Sequence, residues 1–248
     1  NIDSDSISTG QTTKFAHSVN ATTIKLGNSN SNINATLQVL TGNGAGENIV
    51  ITGNLVSSGN SSAAGILDID SNAVITGTIG TSSATIGTIK VANATSLWLN
   101  SSIYSANTTL EGRTAVLAFN GTANTAYTVT GAIDGNNGEG QGQINVNSGN
   151  VTFSNNRASY GGAIYSIDSN VNIDKCNLHH NESNYSGGSI YMEGSFGSTS
   201  SLLISNSTFT SNLADGQGGA IFSEFSDVEV INTICWNNLP QELSVGSS

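Results

Sequence analysis

Four acidic residues form two pairs whose spacing suits metal binding or acid–base chemistry. Asp68 and Asp70 are two residues apart, as are Asp227 and Glu229, and residues i and i+2 of a β-strand point to the same face. Such pairs can bind Ca²⁺, or cleave a polysaccharide together with a neighbouring Arg or Lys. The 6 basic residues are scattered, and the sequence shows no cluster of acids with Arg or Lys. We therefore interpret both pairs as outward, solvated strand faces and keep Ca²⁺ or ligand contact as the alternative.

Adjacent histidines at His179 and His180, beside Glu182, resemble part of a metal site. Consecutive side chains on extended backbone point to opposite faces, and the remaining histidine, His17, is distant in sequence. We therefore expect a solvent-exposed corner here. The sequence predicts neither a bound metal nor a cofactor.

The two cysteines, Cys176 and Cys235, are candidates for a disulfide in an oxidising compartment. The repeats described below place them two coils apart, and coils spaced by about 4.8 Å separate them by roughly 10 Å or more. A disulfide spans Cα atoms no more than about 7 Å apart. The sequence therefore predicts two unpaired, largely buried thiols.

Aromatic side chains offer a further kind of chemistry, because an exposed ring can stack on the face of a pyranose sugar. Strand alternation is expected to send some of the rings into the core. The candidates are Trp98, Tyr104, Tyr160, Tyr185, Tyr191 and Trp236.

Many of these residues lie in a phrase that is repeated in the C-terminal part of the chain. An apolar residue, two variable residues and an Asn come first, and a Gly pair then leads into a strand-like run. The apolar residues lie 25, 31 and 26 residues apart, and the last copy lacks the Gly pair. The members, copy by copy, are Phe153, Asn156, Gly161 and Gly162; Leu178, Asn181, Gly187 and Gly188; Phe209, Asn212, Gly218 and Gly219; and Cys235 with Asn238.

Repeats of this length indicate a stacked architecture in which no unit buries its apolar face alone. The runs between the corners are short, β-branched and alternating, as at 170–174 and 227–231, which is typical of strands. Two or three strands per coil, joined by Gly and Asn corners, predict a parallel β-helix. The repeated Asn is expected to tolerate left-handed backbone and to stack with its counterparts into an inward ladder, while the Gly pair turns where a Cβ would clash.

The repeats resemble those of the chlamydial polymorphic membrane proteins. Their signature, Phe-x-x-Asn followed by Gly-Gly-Ala-Ile, occurs at 153–164 and again at 209–221. The resemblance implies a right-handed, single-stranded parallel β-helix of the pectate-lyase-like kind, and the adhesive role of an autotransporter passenger. The N-terminal part, with phrases such as Ile-Thr-Gly, is more weakly similar to rickettsial outer-membrane autotransporter passengers.

The composition fits one continuous all-β solenoid of 248 residues, with 29 Gly, one Pro and abundant Asn, Ser and Thr. At roughly 25 residues per coil we expect about ten coils. Residues 1–20 are predicted to form a ragged first coil or cap, and 21–145 a Gly/Thr/Asn-rich series of coils. Residues 146–248 are predicted to continue it with the repeat-bearing coils. The Gly-rich stretch 134–142 is expected to be a loop or hinge.

The charge and hydropathy patterns limit the partners. A net charge of −11, from 6 basic and 17 acidic residues, disfavours nucleic acid and anionic lipid. No apolar run reaches the roughly 18 to 20 residues of a membrane-spanning helix, so we expect no membrane insertion of this piece. The chain starts with neither Met nor a signal peptide. We therefore expect an excised or processed fragment, and the resemblance implies that it comes from a bacterial protein that is extracellular or on the outer surface.

Three functional hypotheses follow. The favoured one is a non-enzymatic, extended adhesive or structural surface protein that binds a host or cell-surface protein or glycan. The second is a subunit that stacks end to end with further copies into a fibre or surface layer, because an uncapped β-helix exposes unpaired strands at both ends. The third is a polysaccharide-active enzyme, which requires one of the acidic pairs in a groove beside an Arg or Lys.

Overall fold

The computed structural model of the chain describes residues 12–26, 35–40, 48–57, 64–112, 114–120, 126–134, 143–148, 150–195 and 200–246. Within these ranges the backbone forms short strands and turns and no α-helix. In this part of the chain no helix is long and apolar enough to cross a membrane. The predicted all-β class is confirmed.

The strands stack along several faces of the molecule, each pairing in parallel with the strand one coil away. The first face consists of β1 (Thr12–Phe15), β3 (Thr36–Val39), β5 (Ala64–Ile69), β7 (Ile86–Ala92), β9 (Ile103–Glu111), β11 (Ala126–Asp134), β13 (Asn150–Ser154), β17 (Cys176–His179), β21 (Thr208–Thr210) and β25 (Ile234–Trp236). The second consists of β2 (Val19–Leu26), β4 (Ile49–Ser57), β6 (Ala73–Ile75), β8 (Ser96–Leu99), β10 (Val116–Asn120), β12 (Gln143–Ser148), β16 (Asn170–Asp174), β20 (Ser201–Ser205) and β24 (Asp227–Ile231).

The repeat-bearing coils add two further faces. One contains β15 (Ile164–Ile167), β19 (Ile190–Glu193), β23 (Ile221–Glu224) and β26 (Leu243–Val245), and it joins the first face where β15 pairs with the end of β11. The other is a narrow ribbon of β14 (Arg157–Ala158), β18 (Glu182–Ser183) and β22 (Leu213–Ala214). Successive parallel strands of this kind define a parallel β-helix. Among the described residues the first face has ten strands, which confirms the expected number of coils.

The core is the space enclosed by these faces, and strand alternation fills it. Leu37, Leu67 and Ile89 occupy one register position on successive coils and are almost completely buried. Burying one such side chain contributes roughly 1.5–3 kcal/mol, so the stack of layers is the main source of stability. Farther along, Phe119 and Phe153 meet edge to face with ring centroids 6.3 Å apart.

The Gly pairs of the repeats allow neighbouring coils to approach closely. Gly161, Gly187 and Gly218 have φ values of 54°, 67° and 65°, which L side chains rarely adopt. The second Gly of each pair packs on the next coil's backbone, and a Cβ added at Gly188 would lie 2.1 Å from the carbonyl oxygen of Gly219. Both glycines of the pair are therefore required, for different reasons.

The left-handed corner lies one residue earlier than the sequence predicted. Positive φ values occur at Asn155, His180, Ser211 and Asn237, between 54° and 57°, and each precedes the repeated Asn. The expectation that the repeated Asn itself adopts this conformation is wrong. Its side chain is needed inside the coil, so the turn in the backbone falls on the residue before it.

Some predicted segments lie outside the described residues. This applies to residues 1–11 of the proposed cap and to 135–142 of the proposed Gly-rich loop. Residues 12–15 pair with β3, and the strand that starts at Val19 pairs with β4.

Candidate functional site

The repeated Asn side chains form a ladder inside the coils. Asn181 Nδ2 donates to Asn212 Oδ1 at 3.0 Å, and Asn212 Nδ2 donates to Asn238 Oδ1 at 2.8 Å. Asn156 joins through its backbone N–H, which donates to Asn181 Oδ1 at 3.1 Å. Each amide also donates to a backbone carbonyl of a neighbouring coil, the acceptors being Val129, Phe153, Leu178 and Phe209. All four Asn residues are buried, so the ladder holds the coils together and is not accessible to a ligand.

Two groups that the sequence did not reveal complete this ladder. Gly131 N–H donates to Asn156 Oδ1 at 2.6 Å at one end. At the other end the Asn238 amide donates to the carboxylate of Glu242, which takes the place of a further Asn. Every rung therefore has a partner, as buried polar groups require. Glu242 has no counterpart in the earlier copies, so the repeat pattern could not have indicated it.

The Phe-x-x-Asn positions stack in register. Leu178 lies between Phe153 and Phe209, and Phe209 pairs with Cys235 on the last of these strands. Phe153, Leu178 and Phe209 are fully buried, whereas Cys235 is half-buried. Phe153, Leu178 and Phe209 thus serve the core, and Cys235 continues the same column on the last coil with partial cover.

The two cysteines are unpaired, as predicted. Cys176 aligns with Ser207, whose hydroxyl accepts a hydrogen bond from the Cys176 backbone N–H, and Cys235 aligns with Phe209. Burial raises the pKa of the Cys176 thiol to about 12, which makes the thiolate scarce. Burial also raises the Cys235 pKa, and the Glu242 carboxylate adds to this effect. Cys235 is less buried than the sequence predicted.

Asp68 lies on β5, and Asp70 directly follows this strand. A lysine lies closer to this acidic pair than the sequence indicated. Asp68 is in register with Lys90 on β7, and Lys90 Nζ lies 3.0 Å from Glu111 Oε1. Gln38 Nε2 donates to Asp70 Oδ2 at 2.5 Å. Burial raises the pKa of Asp68 and the Asp70 charge adds to it, while Lys90 opposes both. Lys90 is held by Glu111, so this is an ion-paired strand face.

The pair Asp227 and Glu229 lies on β24 and is exposed. Its partners on β20 are Ser201 and Leu203, so no basic residue stands beside it on that strand. No group of three or more His, Cys, Asp or Glu side chains that could hold a metal ion occurs among the residues described.

His179 and His180 do not point apart. Their Nδ1 atoms are 2.9 Å apart and their rings meet edge to face at 5.2 Å. The expectation of diverging side chains assumed extended backbone, but His180 has φ 54°, and this turn brings the second ring back to the first. Burial and the neighbouring His180 lower the pKa of His179. Glu182 is engaged elsewhere, since Arg157 Nη2 lies 3.2 Å from Glu182 Oε1.

A shallow depression of about 430 Å³ lies across β13, β17 and β21. It is lined by amide and hydroxyl groups with one ammonium and one thiol, from Asn150, Thr152, Lys175, Cys176, Asn177, Asn206 and Thr208. Lys175 is paired with Asp174 at 2.6 Å. None of the lining residues has a carboxylate or imidazole, and most of the lining groups are amides and hydroxyls that can form hydrogen bonds.

The most distinctive surface is an aromatic patch on the repeat-bearing coils. It consists of Tyr160, Tyr165, Tyr185, Tyr191 and Phe222, in contact ring to ring. Tyr165, Tyr191 and Phe222 follow one another in register on β15, β19 and β23. Tyr160 and Tyr185 lie in the turns before the Gly pairs and are 37% and 56% exposed. The sequence identified three of these rings as candidates but did not show that they meet.

The other aromatic candidates lie apart from the patch. Trp98 and Tyr104 are half-buried on β8 and β9, and Trp236 is 71% exposed on β25. Trp236 belongs to the last coil, where Ile234 and Leu239 are also exposed.

Comparison with known proteins finds one family. The Chlamydia polymorphic membrane protein repeat matches residues 150–167 and 206–224. These segments contain the first and third copies of the phrase, with Phe153, Asn156, Phe209 and Asn212. No curated protein and no solved structure matches the chain. The protein is therefore a parallel β-helix whose C-terminal coils carry repeats of the kind found in the Chlamydia polymorphic membrane proteins.

Proposed function

We propose that this β-helix is a non-catalytic part of a bacterial cell-surface protein and acts as an extended adhesive rod. One observation carries the proposal: the matched segments build the coils whose outer face bears the aromatic patch. Tyr160 and Tyr165 lie in the first matched segment and Phe222 lies in the second. The repeat thus supplies both an interior whose buried Asn amides are all hydrogen-bonded and a surface with exposed rings.

The chemistry of the polar faces favours binding over catalysis. Lys90 is held by Glu111 and Lys175 is held by Asp174, so each ammonium already has a carboxylate partner. The Cys176 thiol, beside the depression, has its pKa raised to about 12 by burial. A nucleophile needs a lowered pKa or an adjacent base, and this thiol has the opposite environment.

Adhesion can be tested with beads that carry the purified chain. We expect saturable binding to cultured animal cells, and we expect the soluble chain to compete for it at micromolar concentration. Beads that carry the urea-unfolded and alkylated chain are the control and should not bind. Equal retention of both bead types, or no effect of the competitor, would overturn the proposal.

Self-assembly is a second candidate, favoured by the last coil. Strands β24, β25 and β26 leave one edge unpaired among the described residues, and Ile234 is 62% exposed there. Unpaired edges with apolar side chains template further pairing. The first described coil contains Lys14 and Lys25 and no acidic residue, whereas β24 carries Asp227 and Glu229. A second copy docked end to end would therefore bring opposite charges together.

Sedimentation velocity over a range of concentrations tests this candidate. Head-to-tail growth predicts a rising sedimentation coefficient, which high salt should reduce. Replacing Ile234→Ser and Trp236→Ser together should restore the monomer. A wild-type chain that stays monomeric at the highest concentration would rule out end-to-end assembly.

A further inference from the structure

We infer that the aromatic patch is a binding site for neutral glycans. The inference rests on the proposed adhesive function, since it names the ligand class and the residues that an adhesive rod would use. Its basis is the geometry of the two exposed rings, the uncovered position beside them and the polar groups around them.

Tyr160 and Tyr185 form a stack of two rings, and the outer face of Tyr185 is the platform. Their rings are stacked with centroids 4.8 Å apart and planes inclined by 20°. They occupy equivalent places on adjacent coils, because Tyr185 N–H donates to the carbonyl of Ser159 at 2.9 Å. An aromatic face carries partial negative charge, which attracts the polarised C–H groups on the flat face of a pyranose.

The next coil leaves the platform uncovered. The corresponding position there is Gly216, whose N–H donates to the Tyr185 carbonyl. Gly216 has no side chain to place over the ring, and Tyr185 is the most exposed member of the patch, at 56%. The row of rings therefore ends in an open aromatic face.

The spacing of the rings leaves no room for a ligand group between them. Tyr160 lies 5.9 Å from Tyr165 and 4.9 Å from Tyr191, measured between ring centroids. A group held between two rings would need roughly 7 Å, twice a van der Waals contact. The ligand must therefore lie on the outer surface of the rings, as a sugar does.

Polar groups near the platform can bind sugar hydroxyls. Arg157 lies three residues before Tyr160, and Glu182 lies three residues before Tyr185. Arg157 Nη2 donates to Asn184 Oδ1 at 3.3 Å and lies 3.2 Å from Glu182 Oε1. Tyr191 Oη donates to Glu193 Oε2 at 2.9 Å. Two carboxylates among these groups, on a chain of net charge −11, repel an anionic sugar. Neutral glycans are therefore the expected class.

The size of the exposed area favours a glycan over a protein. A specific protein interface buries about 800 Å² on each partner. Only Tyr160 and Tyr185 expose much of their rings, because Tyr191 is buried and Tyr165 and Phe222 are half-buried. One open ring face, that of Tyr185, with the partly exposed Tyr160 ring behind it, suits one or two sugar units.

Saturation-transfer NMR with the purified chain tests the inference. The probes are lactose, maltotriose and tri-N-acetylchitotriose as neutral sugars, with sialyllactose as the anionic comparison. At least one neutral sugar should bind, and sialyllactose should bind less tightly than lactose. No transfer to any neutral probe, or tighter binding of sialyllactose, would overturn the inference.

Matched variants locate the site. Tyr185→Ser should weaken sugar binding by at least about tenfold, whereas Tyr185→Phe, which keeps the ring, should bind within about twofold of wild type. Phe225→Ser removes a 41% exposed ring outside the patch and should leave binding unchanged. Equal thermal unfolding midpoints show that the variants are folded. A Tyr185→Ser chain that binds like wild type would contradict the assignment.

The same variants separate this inference from the proposed function. If Tyr185→Ser loses sugar binding while its beads still bind cells, the patch is not the adhesive site and the inference fails, but adhesion stands. If Tyr185→Ser reduces cell binding and enzymatic removal of cell-surface glycans does not, the partner is a protein and the glycan assignment is wrong. If beads with the wild-type chain and beads with Tyr185→Ser both fail to bind cells, the proposed adhesive function fails. The sugar titrations then still decide whether the patch binds glycans.

Discussion

The coils before Gly131 and those after it share the same two long sheets but form their corners differently. In the earlier coils the corner amides are exposed: Asn54 Oδ1 accepts from the backbone N–H and hydroxyl of Thr78, and Asn93 does the same for Thr114. In the later coils the corner amides are buried and bonded to one another. Among the described residues, every buried Asn belongs to the later coils.

This difference shows what a strict repeat makes possible. A buried amide is stable only if its donors and acceptors are all satisfied, and a stack of identical corners supplies a partner on each neighbouring coil. The corners must therefore match from coil to coil, whereas the number of residues between them can vary. The 31-residue separation between Asn181 and Asn212 leaves the ladder as intact as the 26-residue separation between Asn212 and Asn238.

The largest expected effect is the loss of a ladder rung. Asn212→Ala should lower the free energy of unfolding by at least about 3 kcal/mol, because it leaves several buried donors and acceptors without partners. The matched change in the earlier coils, Asn54→Ala, should cost less than about 1 kcal/mol, since water replaces its exposed hydrogen bonds. Urea unfolding followed by circular dichroism measures both. Equal costs would remove the distinction between the two kinds of corner, and an unaltered Asn212→Ala rod would show that the ladder is misassigned.

Two aspartates, Asp68 in the earlier coils and Asp174 in the later ones, should respond to pH in opposite directions. Burial alone would raise the pKa of Asp174, but hydrogen bonds from Lys175, Asn206 and Ser205 lower it to about 2. Its stabilising contribution is therefore complete above its ordinary value of 3.8 and is lost as the pH falls towards 2. Asp68 has a raised pKa, so its ionised form weakens the fold at neutral pH, and this cost disappears as the pH falls below 3.8.

Thermal unfolding of Asp174→Asn and Asp68→Asn between pH 2 and 7 tests this contrast. Asp174→Asn should be less stable than wild type at pH 7 and should approach it near pH 2. Asp68→Asn should be slightly more stable at pH 7, with its advantage vanishing in acid. Parallel profiles for the two variants would show that the surroundings of these carboxylates do not differ as described.

The smallest effect is expected at a buried hydroxyl. Ser183 is fully buried without a hydrogen-bond partner and stands between Ala158 and Ala214 on the adjacent strands. Ser183→Ala should be neutral or raise the unfolding free energy by up to about 1 kcal/mol, because it removes an unsatisfied polar group. Ser57→Ala is the counterpart in the earlier coils, where Ser57 also lacks a partner. Destabilisation of both variants would point to hydrogen bonds that these hydroxyls make with bound water.

Much of the fold was predictable from local pattern. Alternating runs such as 170–174 predicted β16, and the spacing of Phe153, Leu178 and Phe209 predicted their register, because a repeated phrase must meet its neighbour at the same place on each coil. The left-handed residue was misplaced by one position and the His179–His180 contact was missed. Both errors depend on the sign of φ at single residues such as His180. Apart from Gly and Asn, the type of a residue is a weak guide to whether its φ is positive.

The candidate site was predictable only in its components. Tyr160, Tyr185 and Tyr191 were visible as possible sugar-stacking rings, but Tyr165 and Phe222 were not singled out. The coil pairing that joins all five is a long-range property. The same is true of Lys90 beside Asp68, because their register depends on how the chain between β5 and β7 turns.

The sequence by itself determined that this chain is a parallel β-helix and which residues mark its repeating corner, since stacked coils require periodic apolar and corner positions. Only the tertiary structure decided which side chains share a surface. It closed the Asn ladder with Glu242, paired Lys90 with Glu111 and brought five aromatic rings onto one face. The physical reason is that strand alternation sets whether a side chain points inward or outward, while lateral neighbours are set by pairing between coils that are distant in the chain, as Lys90 and Glu111 or Asn181 and Asn212 are.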